Sequence, residues 1–170
     1  AASVLRCSPL SRALGIYMKK LSSSNTSLDI YHGVPKGWTK EDILTTYELL
    51  SGKKLNFERK ATEPGSPSWL PDRYNWLQYR AALYKIADGV REGDEPCIEI
   101  AIRYIELNYF GSYSGFIRER FARLLKSQKL TKKQAIRLNR HFQMLIDNNQ
   151  CFKEFRVYKK LRDRILKELG

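Results

Sequence analysis

Three runs of cations stand at helical intervals in the C-terminal third of this 170-residue chain. One reads Arg120, Arg123 and Lys126. A second reads Lys133, Arg137 and Arg140 with Lys132 beside it, and a third reads Lys153, Arg156, Lys160, Arg164 and Lys167. Residues three, four and seven apart share one face of an α-helix, so each run becomes a row of positive charge once its segment is helical. Such rows neutralise successive phosphates and release their counterions, and guanidinium groups add bidentate contacts to phosphate or guanine. The turn Ser127-Gln128-Lys129-Leu130 is short enough for a helix-turn-helix with a reading helix from Thr131, although the usual turn glycine is missing. Between two expected helices, Asn108 to Phe116 mixes aromatic and small residues. Exposed, these rings would stack on unpaired bases; more often such a stretch plugs a core. Trp38, Trp69 and Trp76 read as core or loop anchors.

Other chemistries find less material. Ser51-Gly52-Lys53 ends like a phosphate-binding loop, but Tyr47 stands where its first glycine is required. His32 and His141 are far apart and lack a neighbouring metal-ligand partner. Cys7, Cys97 and Cys151 match neither a disulfide framework nor a zinc spacing, which favours a reducing compartment. The carboxylates Asp72, Asp88, Glu99 and Glu106 show no sequence sign of converging as an acid and base pair. No catalytic residue, metal or cofactor is expected.

The charge distribution agrees with phosphate docking. Residues 1–28 carry four basic and no acidic side chains, residues 29–110 eleven basic and thirteen acidic, and residues 111–170 sixteen basic and five acidic. The net charges are +4, −2 and +11. A one-signed field on one part of a molecule attracts polyanions, so nucleic acid, RNA or DNA, is the first expected partner. An acidic protein bound by an immunity, inhibitor or assembly module is the alternative. No apolar run approaches the roughly twenty residues of a membrane span. Residues 1–28, serine-rich and free of acids, have the composition of an organellar transit peptide, which adds a mitochondrion to the intracellular locations considered.

Helices must position the cations. Thr39 with Asp42 makes a capping-box start, followed by Ile43, Leu44, Tyr47 and Leu50 at helical spacing and a stop at Gly52. Residues 63–68 have loop chemistry and form the expected hinge. A second helix should run from about Pro71 to Gly89, with Trp76, Arg80, Leu83, Tyr84 and Ala87 on its inner face. A third opens at Asp94 and carries Ile98, Ala101, Ile102, Ile105 and Tyr109. The basic helices follow: one capped by Ser112 or Ser114 and burying Ile117, Phe121, Leu124 and Leu125; one from Thr131, boxed by Gln134, burying Ala135, Leu138, Phe142 and Leu145; one from about Cys151, burying Phe152, Phe155, Tyr158, Leu161 and Ile165. The pattern predicts an all-α bundle of about six helices. Residues 1–28 would be a basic tail, 29–110 a near-neutral half and 111–170 a basic three-helix half, with 29–170 one domain.

Within the basic half, Ser114-Gly115-Phe116 leads into Ile117-Arg118-Glu119-Arg120, Leu130-Thr131 opens the next helix, and Glu154-Phe155-Arg156-Val157-Tyr158 lies near the end. In these motifs residues 109–160 resemble an uncharacterised group of small prokaryotic helical proteins. The resemblance implies a shared helical module and carries no activity with it.

Overall fold

The computed structural model describes residues 33–57, 71–111 and 113–170, with residues 71–74 by backbone alone. Six helices run through them: α1 (Lys40–Ser51), α2 (Pro71–Glu92), α3 (Glu95–Leu107), α4 (Ser114–Leu125), α5 (Lys132–Asp147) and α6 (Phe155–Leu169). No strand occurs among the described residues, and the fold is all-α. The expected tail, the hinge at 63–68, His32, Trp69 and Ser112 lie outside the described residues.

Local chemistry sets most of the helix ends. The Asp42 amide donates to Thr39 Oγ1 at 3.1 Å while the Thr39 amide donates to Asp42 Oδ2 at 2.9 Å, closing the expected box on α1. Gly52 ends that helix at φ 68°, a left-handed value glycine adopts without a β-carbon penalty. The Thr131 and Gln134 box on α5 is closed in the same way, at 3.2 and 3.0 Å.

Four ends differ from expectation, the first being α3, which stops at Leu107 and leaves Tyr109 beyond its Asn108 cap. Ser114 does not cap α4 but is its first residue, with its hydroxyl folded back on Gly111, while Tyr113 takes the cap position. The last helix starts at Phe155 rather than Cys151, because residues 153–154 form a turn that delivers Glu154 to the interior. Finally, α2 passes through Gly89 and ends at Glu92.

Gly89 serves packing, not termination. A β-carbon there would collide with Sγ of the buried Cys97 and stand 3.0 Å from its Cβ, so the glycine sets how closely α2 approaches α3. Gly89→Ala should therefore destabilise the protein, by about 1–3 kcal/mol of overpacking, despite the gain in helix propensity. A urea midpoint equal to or above wild type would contradict that packing role.

The helices assemble around α3, which packs against α1, α2, α4 and α5, while α6 closes the bundle against α4 and α5. A helix with neighbours on most sides is apolar around most of its circumference. Accordingly Cys97, Ile100 and Tyr104 are buried as well as the expected Ile98, Ala101, Ile102 and Ile105. On α2 the inner face is rotated from the expected one: Tyr79, Ala82, Ile86 and Val90 join Trp76, Leu83 and Ala87, and Arg80 and Tyr84 are only half-buried. The basic helices bury Ile117, Phe121, Leu125, Ala135, Leu138, Phe142, Leu145, Tyr158, Leu161 and Ile165 as their periodicity requires; Leu124, Phe152 and Phe155 are half-buried. One hydrophobic cluster extends from Ile43 to Ile165, so the near-neutral and basic halves share a core. No described helix is long and apolar enough to cross a membrane.

Candidate functional site

Four of the eleven candidate cations come together. Arg123 and Lys126, at the C-terminal end of α4, meet Arg156 and Lys160 from the start of α6 around a groove of about 190 Å³ walled by Val157. The arrangement follows from the helical repeat. Burying Tyr158, Leu161 and Ile165 turns Val157 toward α4 and leaves Arg156 and Lys160 on the exposed rim. Among the described residues no acid lines the groove. Among the described residues only Arg123 of these four has an ion-pair partner, Glu119 one turn back. Like charges held around one concavity repel one another, and a bound anion relieves that repulsion.

Three other candidates have internal work. Arg137 reaches across to α3, donating to Glu99 Oε1 at 2.8 Å and to both oxygens of Glu106 at 3.1 and 2.5 Å. The hydrogen bonds that Arg137 donates to Glu106, with the one to Glu99, raise its pKa against the opposing effect of burial. Burial would raise the Glu99 carboxyl, but hydrogen bonds from Arg137, Arg103 and Gln134 outweigh it and hold the group below its ordinary value. Arg164 donates to the carbonyls of Leu125 at 2.9 Å, Gln128 at 2.5 Å and Lys126, so it satisfies the open C-terminal end of α4 and complements its dipole. Arg120 lies 5.1 Å from the centre of the Tyr84 ring and 4.0 Å from Asp88, tying α4 to α2.

The remaining candidates, Lys132, Lys133, Arg140 and Lys153, are exposed and do not line the groove. The row on α5 and the row on α6 do not merge. Arg137, the centre of the α5 row, faces α3, and α5 meets α6 through Asn139 and Gln143, which accept from Arg162 at 3.0 and 2.5 Å. Across the Ser127 to Leu130 turn, α4 and α5 make little direct contact, unlike the packed pair of a helix-turn-helix.

Sequence reasoning missed a buried ion pair. Arg118, 2% exposed, donates through Nε to Glu154 Oε1 at 3.1 Å, through a second nitrogen to the same oxygen, and through the third to the Tyr109 carbonyl. Glu154 is 6% exposed, and the Phe110 ring centre lies 5.2 Å from the guanidinium. Burial opposes charge on Arg118, but Tyr158 and Glu154 outweigh it and raise its pKa. One clue was available: Arg118 falls on the inward stripe of Ser114, Ile117, Phe121 and Leu125.

Among the described residues, His141 and Cys97 are held toward their neutral forms. Burial lowers the His141 pKa, which keeps the ring neutral near pH 7. Burial, with a hydrogen bond to Asp94, pushes the Cys97 thiol up, away from the thiolate that nucleophilic chemistry needs. Cys151, also buried, is disulfide-bonded, contrary to the expectation from cysteine spacing, and the cysteines therefore give no support to a reducing compartment. No cluster of three or more His, Cys, Asp or Glu suited to a metal occurs among the described residues.

The aromatic segment 108–116 divides. Tyr109 is half-buried and donates to the Gly33 carbonyl at 3.1 Å, as a core plug would, whereas Phe110, Tyr113 and Phe116 are exposed. Tyr113 holds φ 62°, a strained value for an aromatic residue that costs of order 1–3 kcal/mol.

No family model, curated protein or solved structure matches the chain, an outcome consistent with the uncharacterised group that residues 109–160 resemble.

Proposed function

We propose that the protein binds nucleic acid, without catalysing a reaction on it, through phosphate contacts centred on the groove between α4 and α6. The observation that carries this reading is the convergence of Arg123, Lys126, Arg156 and Lys160 on one concavity with no acid in its lining among the described residues. Long flexible cations around an open groove suit a repeating anion, and two arginines add planar donors for phosphate oxygens. Lys132, Lys133, Arg140 and Lys153 extend the positive field and steer a polyanion toward the groove. Arg120, Arg137 and Arg164 support the scaffold. Such a protein would act inside a cell or organelle, where nucleic acid is found, as a ribosomal component or a DNA-binding accessory factor.

Fluorescence anisotropy with labelled RNA and DNA of random sequence tests the proposal. Binding is expected at physiological salt with Kd below about 100 μM, the weak end of ordinary non-specific affinity. Arg156→Glu with Lys160→Glu should weaken it at least about tenfold, because two phosphate contacts become repulsions. Absence of binding to both nucleic acids would overturn the reading. An acidic protein partner would then be the better explanation of the groove, and the same variant should lose its capture.

A further inference from the structure

Along the exposed side of α4, the cations of the groove are preceded by bare aromatic rings. Tyr113, Phe116, Arg120 and Arg123 follow one another at intervals of three, four and three residues, which places them on one face of the helix. Phe116 is 63% exposed and Tyr113 48%, and their ring centres are 5.9 Å apart. Tyr113 is braced from α2: the Arg80 guanidinium lies 4.5 Å from its ring centre and the Trp76 ring 5.7 Å away. Phe116, in contrast, contacts no aromatic ring other than Tyr113 among the described residues. A fixed ring carrying a second, largely bare ring is a platform with an open face. At 1.5 Å of rise per residue, Phe116 stands about 10 Å along the helix from Arg123. That separation is short enough for one strand to touch both.

From this juxtaposition we infer that the protein selects unpaired, single-stranded nucleic acid, stacking a base on Phe116 and Tyr113 while the adjoining backbone phosphates enter the groove between α4 and α6. The inference rests on the phosphate-docking reading and adds the class of strand. Duplex bases are stacked on one another and offer only edges to a protein surface. A base in a single strand presents a free face, and any base can use it. The chain would accordingly bind with little sequence preference, sensitive both to salt and to loss of one aromatic ring.

The test compares a labelled 12-nucleotide single strand with the corresponding duplex, using wild type, Phe116→Ala, Phe116→Trp and Arg156→Glu/Lys160→Glu. Wild type should prefer the single strand. Phe116→Ala should weaken single-strand binding about fivefold or more, the lower bound for one base stacked on an aromatic ring, and leave duplex binding unchanged. Phe116→Trp should retain the preference, and its added indole fluorescence should be quenched by the single strand. Because Phe116 is largely exposed, circular dichroism and melting should match wild type in both variants. Equal affinity for the two strand types, with Phe116→Ala silent and the groove variant still impaired, would overturn the inference and leave phosphate docking standing. Failure of both nucleic acids to bind wild type would overturn both.

Discussion

Arg118→Met should lower the free energy of unfolding by about 3–5 kcal/mol, the loss typical of removing one partner from a buried ion pair. The substitution keeps most of the side-chain volume, so the deficit would come from electrostatics and hydrogen bonding. Glu154 would be stranded in the interior, and the Tyr109 carbonyl would lose its donor. Arg118→Met combined with Glu154→Leu should recover much of the loss, since an apolar pair of similar volume often matches a buried ion pair in stability. Urea unfolding of the three proteins checks this. A single variant within 1 kcal/mol of wild type would mean that the pair does not hold the turn before α6 against α4.

Arg137→Glu carries the second large effect. It would place a third carboxylate beside Glu99 and Glu106, two half-buried acids that Arg137 now bridges. The expected cost is about 2–3 kcal/mol, between that of a surface pair and a buried one. Arg140→Glu, one turn along on an exposed position, should cost less than about 0.5 kcal/mol. The pH dependence has a defined sign. Because the folded Glu99 carboxyl lies below its ordinary value, its contribution in wild type is complete above the ordinary carboxylate range and is lost as pH falls through the lowered value. The Arg137→Glu variant should show a weaker acid-side decline, because only Arg103 and Gln134 would remain to hold Glu99 below its ordinary value. Equal stability of the two charge reversals would show that Arg137 is only a surface cation.

These two arginines also show where sequence reasoning ends. Thr39 with Asp42 and Thr131 with Gln134 could be read directly, because a capping box closes within four residues. The apolar repeats of α5 likewise fixed its inner face. The carboxylates that Arg137 bridges and the carbonyls that Arg164 caps lie between 31 and 39 residues away in sequence, so a row of cations gave no sign of which members would be used internally. Gly89 resembled a helix stop because glycine is equally suited to a C-terminal cap and to close helix contact, and only the approach of Cys97 distinguishes them. Arg118 was hidden for a related reason: a charged residue on an inward stripe reads as a break in the pattern until its carboxylate arrives from another helix. Of the candidate site, the residues of the groove were legible from their spacing. Their convergence depended on the packing of α4 against α6.

The salt dependence of nucleic-acid affinity, measured on two double charge reversals of equal net change, tests the groove most directly. Plots of log affinity against log salt for wild type should have a slope near −3, from four cations at about 0.7–0.9 per phosphate. Arg156→Glu/Lys160→Glu should flatten that slope by about two contacts, while Lys132→Glu/Lys133→Glu, outside the groove, should weaken binding with nearly the wild-type slope. If the two variants lose the same slope, or if wild type shows none, the groove between α4 and α6 is not where phosphates bind.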